Sequence, residues 1–145
     1  MFGLRPAVPS DQPVIRRLVR IGRINPTGLD WERFTVATTV EGEVIGCAQI
    51  KPHRDGSYEL ASLVTHPKWR GRGVARALIE HLSASHAGDL YLMCRAELGP
   101  FYEKFGFRVI QLEEMPRYFR RISRMMSLLE KLRSEGSSLL VMKRI

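Results

Sequence analysis

The chain has 145 residues, 44% of them hydrophobic and 26% charged, a balance that supports a buried core and excludes a disordered chain. At this length it reads as one domain, 1–145, able to bury roughly 70% of its unfolded surface. Its 23 Lys and Arg against 15 Asp and Glu leave a net charge of +8, which points to anionic partners, either nucleic acid or an acidic, phosphate-bearing substrate.

No apolar run reaches the ~18 residues of a membrane span, and the start, Met1 to Pro6, has no apolar signal-peptide core. A cytoplasmic location, or the soluble phase of an organelle, is expected. Cys47 and Cys94 each lie in a strand-like run without a Cys-x-x-Cys or Cys/His cluster, so both read as buried, reduced thiols. His53, His66, His81 and His86 lack ligand spacing: His81 and His86 are five apart, where two ligands on one helical face sit about four apart. No metal is expected.

In chain order, Leu4 to Ala7 reads as a short first strand closed by Pro9. Ser10 or Asp11 caps a helix with Pro13 in its first turn, and Val14, Ile15, Leu18 and Val19 share one face. Asn25-Pro26-Thr27-Gly28 breaks that pattern. Leu29 to Phe34 is short enough for a helical turn or a loop, with Trp31 either a core anchor or a lining residue of a substrate site. Phe34 to Val40 and Val44 to Ile50 are β-rich and joined by Glu41-Gly42-Glu43, a hairpin signal. A turn at Asp55-Gly56 leads into a third strand, Tyr58 to Thr65, which delivers the chain to His66-Pro67-Lys68-Trp69, where His66 reads as a loop residue before proline.

The run Val74 to Ser85 is helical, with Val74, Ala77, Leu78, Leu82 and Ser85 along one face, and Gly88-Asp89 ends it. Leu90 to Cys94 looks like a buried strand. Strand, helix and strand in this order predict a right-handed parallel crossover, which puts Tyr58–Thr65 and Leu90–Cys94 side by side at the sheet centre. Glu97 to Phe105 is a short helix capped by Gly106, and Phe107 to Leu112 starts a further strand. From Met115 to Ser134 the chain is basic and helical, with Tyr118, Ile122, Met125, Leu129 and Leu132 at helical spacing and Arg120, Arg121, Arg124 and Lys131 elsewhere on the cylinder. It reads as an amphipathic helix docked on the sheet with a solvated basic face. Leu139 to Lys143 is a final strand.

The functional signal lies at the junction Arg70-Gly71-Arg72-Gly73-Val74-Ala75, where a strand-like run passes through glycines into a helix. Glycines let the backbone approach a ligand closely, and the first N–H groups of a helix, at the positive end of its dipole, suit a phosphate. Arg70, Arg72 and Arg76 add charge. A Walker loop is excluded, since no Gly-Lys-Ser/Thr occurs here, and the third glycine of a dinucleotide fingerprint falls on Arg76.

Read as Arg70, Gly73 and Ala75, the stretch matches Arg/Gln-x-x-Gly-x-Gly/Ala, and farther on Pro100-Phe101-Tyr102-Glu103-Lys104-Phe105-Gly106-Phe107 matches Tyr-Glu-Lys-x-Gly-Phe. On these two motifs the chain resembles the GCN5-related N-acetyltransferase (GNAT) superfamily. The resemblance implies an α/β (α+β) fold: a mixed, mostly antiparallel sheet whose central parallel strands splay apart, flanked by helices, with Met115–Ser134 as a basic helical insertion. It also implies an acetyl-CoA-dependent N-acetyltransferase acting on a primary amine of a small molecule or protein. The pyrophosphate would rest on the N–H groups of Gly71, Arg72, Gly73, Val74, Ala75 and Arg76, beside Arg70. The pantetheine arm would pair with the backbone of Leu63, Val64 and Thr65, and an N–H near Val64 would polarise the thioester carbonyl.

The resemblance makes Tyr102 the candidate proton donor to the leaving thiolate, against the reading that it packs beneath the cofactor. Glu59, the acid in the central strand, is the candidate base acting through water, against a solvated glutamate at a strand start. Strand alternation places Glu59, Ala61 and Leu63 on one face. Seven residues before the tyrosine, many relatives carry a cofactor-contacting asparagine; here the residue is Arg95, which would pair with a CoA phosphate or face the acceptor. Two other classes stand beside the transferase: a noncatalytic acyl-CoA-binding module, and a nucleic-acid or ribosome-associated protein using the basic helix. Exposed strand edges and the extra helix are compatible with a homodimer.

Overall fold

The computed structural model describes residues 1–132 and 138–145. Seven strands form a mostly antiparallel sheet with helices, and the contacts group the chain into two compact units, 1–51 with 60–86 and 52–59 with 87–145.

The first unit holds β1 (Phe2–Pro6), α1 (Gln12–Gly22), β2 (Phe34–Thr39), most of β3 (Val44–Pro52), most of β4 (Tyr58–Thr65) and α2 (Val74–Ser85). β1 to β4 are neighbours in chain order, with β1/β2 and β2/β3 antiparallel. At Gly42 (φ 89) the hairpin turns, closed by Thr39 N–H on the Glu43 carbonyl at 2.9 Å. Asp11 sits at the N-cap of α1 without capping it: its carboxylate turns back to accept from the Val8 N–H (2.8 Å) and from Arg5 (2.7 and 3.1 Å). The Arg5 hydrogen bond, helped by the Val8 N–H and offset in part by burial, holds the Asp11 pKa below the ordinary aspartate value.

One apolar cluster joins Ile15, Leu18 and Val19 of α1 to Phe34, Val36, Cys47 and Val64 of the strands. Leu29 and Trp31 pack on it partly buried, held by Gln12, which donates to the Leu29 carbonyl and accepts from the Trp31 N–H at 2.9 Å. Trp31 is thus a core anchor, opening a 3-10 turn at Trp31–Arg33. α2 buries Val74, Leu78, Ile79, Leu82 and Ser83 and leaves Ser85 exposed, a stripe rotated from the one read in the sequence. Gly46 lets it come close, for a Cβ there would stand 2.7 Å from Val74 Cγ1.

The second unit holds the β3–β4 turn with Tyr58 and Glu59, β5 (Leu90–Arg95), α3 (Gly99–Glu103), β6 (Arg108–Val109), α4 (Arg117–Leu132) and β7 (Leu139–Arg144). β4 meets β5 in parallel at the pair Glu59–Tyr91, and β7 pairs antiparallel with both β5 and β6. The expected strand 107–112 shrinks to two residues. α4 begins where Asp55 accepts the Tyr118 N–H at 2.9 Å, and Phe119, 0% exposed, locks its first turns onto Tyr91, Ile110, Met115 and Val141. Beyond that the described residues do not cover the expected docked stripe: its Met125, Leu129 and Leu132 are exposed, as is the neighbouring Leu128. Residues 133 and 134 of the basic insertion lie outside the described residues.

Candidate active site

β4 runs through a 3-10 turn at Pro67–Trp69 into the glycine turn and α2. His66 caps that turn, its Nδ1 accepting from the Lys68 N–H at 3.1 Å, and its own N–H bonds the Ile45 carbonyl at 2.8 Å. Gly71 (φ 78) and Gly73 (φ 83) both adopt the left-handed region, and Gly73 is the N-cap of α2. A Cβ at either would meet nothing within 4 Å, so glycine is required here by backbone conformation, and the space above the turn is open to a ligand. Arg70, Arg72 and Arg76 are exposed around it, with the Arg72 guanidinium 4.8 Å above the Trp69 ring. Val74 turns its side chain into the core and offers only its backbone to the turn. The chemistry of this cradle, N–H groups, a helix start and three cations, fits a pyrophosphate.

In β4, Ser62 is left-handed (φ 57), a conformation that costs a non-glycine residue roughly 1–2 kcal/mol. Burial along the strand departs from simple alternation: Glu59 and Leu60 are both buried while Ala61 and Leu63 are intermediate. No sequence signal marks Ser62. Its carbonyl lies 3.6 Å from the Cys47 thiol, which burial pushes up to about 12, so Cys47 is an inert core thiol. Val64 is buried, with Leu63 and Thr65 partly exposed beside it.

Glu59 differs from the solvated strand-start reading. It is 6% exposed, and its Oε1 lies 2.8 Å from His53 Nε2. Tyr118 stacks on that imidazole with ring centroids 3.6 Å apart, and burial, then the Glu59 charge, raises the Tyr118 pKa. Nothing in the spacing of His53 and Glu59 announces this pair, because a β-turn brings them together.

Tyr102 lies in α3, a helix of five residues whose N-terminal turn contains Pro100. Its ring meets Phe101 and Phe107 edge-on, and burial, followed by the nearby Cys94, raises the phenol to about 12. It is therefore a neutral hydroxyl at physiological pH. Arg95 is exposed at the end of β5. Among the described residues no group of His, Cys, Asp and Glu is arranged to hold a metal, and no helix is long and apolar enough to cross a membrane.

A family model for the acetyltransferase (GNAT) domain matches residues 30–109, more than half of the chain. The chain belongs to the GNAT acetyltransferase family. No curated protein matches it, whereas solved structures match over nearly its whole length. N-acetylglutamate synthase from Neisseria gonorrhoeae, complexed with coenzyme A and N-acetyl-glutamate, superposes with a TM-score of 0.78 at 19% identity, over 99% of this chain and 35% of that one. The chain thus spans about a third of that enzyme's length. Rv2747 from Mycobacterium tuberculosis, in complex with CoA and NLQ, gives 0.74 at 21% identity over 99% and 98%. Escherichia coli ElaA gives 0.70 at 15% over the full length of both chains. At these identities the likeness shows the fold, and the seven-stranded α/β architecture of this GNAT acetyltransferase is the one it shares with CoA-bound neighbours.

Proposed function

We propose that the protein transfers the acetyl group of acetyl-CoA directly to a primary amine of a small-molecule or protein acceptor. The observation that carries this is the turn at Gly71 and Gly73, left-handed and open, ringed by three exposed arginines at the start of α2. Its N–H groups through Arg76 hold the pyrophosphate, and the backbone of Leu63, Val64 and Thr65, beside the left-handed Ser62, takes the pantetheine arm. The N–H near Val64 polarises the thioester carbonyl. Arg95 supplies a further cation for a CoA phosphate.

Tyr102 gives a hydrogen bond to the departing sulfur. A phenol raised to about 12 is a weak acid toward a thiol of pKa ~8.5, and full transfer is uphill by roughly 5 kcal/mol. Its first contribution is therefore to stabilise developing thiolate charge, with the proton following as that charge peaks. Glu59, oriented by His53, draws the proton from the attacking amine through water.

Calorimetric titration of acetyl-CoA, followed by an amine panel read out as free-thiol release, tests this. Gly73→Asp, which strains the backbone and places a carboxylate against the phosphates, is expected to weaken acetyl-CoA at least ~100-fold. Tyr102→Phe is expected to keep acetyl-CoA affinity and lose roughly 10- to 100-fold in turnover. Wild type that does not bind acetyl-CoA overturns the proposal; binding without turnover points to the noncatalytic acyl-CoA module.

A further inference from the structure

Gln49 on β3 is a polar side chain with 0% exposure, paired across the ladder with the core residue Phe34. Its Nε2 donates to the Gly28 carbonyl at 3.1 Å and to Ser62 Oγ at 2.9 Å. A backbone carbonyl only accepts, so the amide nitrogen must face Gly28 and the orientation of the group is determined. Its other atom, Oε1, is buried and meets no donor among the described residues. Such an oxygen costs free energy that an N–H from a ligand would recover.

Two residues on, along the same face of β3, Lys51 Nζ donates to the Thr27 carbonyl at 3.2 Å. Its head lies against Gly28, where a Cβ would come within 2.8 Å of both Cε and Nζ. The left-handed Gly28 (φ 67) is therefore the corner at which the two side chains converge. The Gln49 amide, whose oxygen lacks a donor among the described residues, and the Lys51 ammonium thus both reach this corner of the loop after α1.

We propose that this corner is the acceptor subsite and that its acceptor is a free α-amino acid: Gln49 Oε1 accepts an N–H of the substrate amine, and Lys51 pairs with the carboxylate. The assignment rests on the acetyl-transfer reading above. A neutral amide oxygen suits a nucleophile better than a carboxylate would, because it holds an N–H without favouring the ammonium form and leaves the nitrogen lone pair for attack. That pair forms the N–C bond as the thioester C–S bond breaks. One amine proton leaves and the thiolate takes up one proton, so the products are the N-acetyl amino acid and free CoA.

The test is steady-state kinetics with L-alanine, L-leucine and L-phenylalanine against their decarboxylated counterparts ethylamine, 3-methylbutylamine and 2-phenylethylamine. At least one amino acid is expected to exceed its counterpart about tenfold or more in kcat/KM. Gln49→Leu is expected to raise KM for that amino acid about tenfold, and Lys51→Met to abolish the preference by acting on the amino acid alone, both with unchanged acetyl-CoA affinity. Ser62→Gly, which keeps the left-handed backbone but removes the hydroxyl holding Nε2, separates binding from packing and is expected to shift KM far less. Equal effects of Gln49→Leu and Ser62→Gly, a Lys51→Met loss shared by the plain amines, or a wild type that prefers them would each overturn the subsite. So would a wild type that acetylates none of the six, and the acetyl-CoA titration then tells whether the transferase reading falls with it.

Discussion

α2 and α4 are both amphipathic helices studded with arginines, and the protein anchors them differently. α2 buries Val74, Leu78, Ile79 and Leu82 over its whole length, which holds its first turn and the glycine cradle in place. α4 buries only Phe119; Met125, Leu128, Leu129 and Leu132 are 54%, 62%, 42% and 79% exposed. Their arginines differ as well. Arg70, Arg72 and Arg76 are exposed around the left-handed Gly71 and Gly73, whereas Arg120 of α4 donates to the Leu112 and Met115 carbonyls and fastens the turn before its own helix. Positive charge alone therefore does not mark a site in this protein. The informative feature is charge set around a left-handed glycine turn at the start of a well-anchored helix.

The sharpest way to break the comparison is through stability. Leu78→Ala, at 0% exposure, is expected to cost about 2–5 kcal/mol in urea unfolding, while Leu129→Ala in α4 costs under about 1 kcal/mol. Equal losses would mean that the α4 stripe is covered in solution, and a concentration-dependent loss would identify a second copy as the cover.

A smaller effect probes how tightly α2 is seated. Gly46→Ala would press a methyl 2.7 Å from Val74 Cγ1 and 3.2 Å from the Val64 carbonyl, an overpacking expected to cost about 1–3 kcal/mol. Because Val74 follows the cradle directly, acetyl-CoA affinity should fall with it. A variant that loses stability but retains full affinity would show that the turn holds its shape independently of how α2 packs.

The smallest effect concerns the helix starts. Asp11, before α1, has its pKa lowered chiefly by the Arg5 hydrogen bond. Asp55 holds the start of α4: burial alone would raise its pKa, but bonds from the Ser57 hydroxyl and the Tyr118 and Ser57 N–H groups outweigh it and lower the value. A depressed carboxylate contributes stability that is present above its unfolded pKa and lost as pH falls through its folded value. Melting temperatures from pH 7 down to about pH 3 should therefore decline, and Asp11→Asn and Asp55→Asn should each flatten that decline. Each is expected to cost roughly 1 kcal/mol at neutral pH, less for Asp11 insofar as Arg5, 37% exposed, is screened. If α4 is held as weakly as its burial suggests, Asp55→Asn should loosen hydrogen-exchange protection along α4 before global unfolding.

Much of this molecule was legible in its sequence. The glycine turn was, because Gly71 and Gly73 supply a conformation that other residues resist. The strand Tyr58–Thr65 and the helix Val74–Ser85 were as well, because hydrophobic period is a local property. The readings that shifted did so where neighbours decided. Asp11 prefers Arg5 and the Val8 N–H to the cap it could have formed. α4 repeats its apolar spacing past the point where the described residues cover it, and periodicity does not report where a partner surface ends.

The sequence by itself determined the family, the order of elements and the left-handed glycine turn before α2, since each of these rests on short motifs and on residues close together in the chain. Tertiary structure alone decided that Glu59 is buried against His53, that Ser62 turns left-handed inside a strand, and that Gln49, Lys51 and Gly28 converge. The physical reason is that an unpartnered oxygen, a stacked imidazole or a strained φ is defined by which groups surround it. Here those groups come from strands and loops that only folding brings into contact.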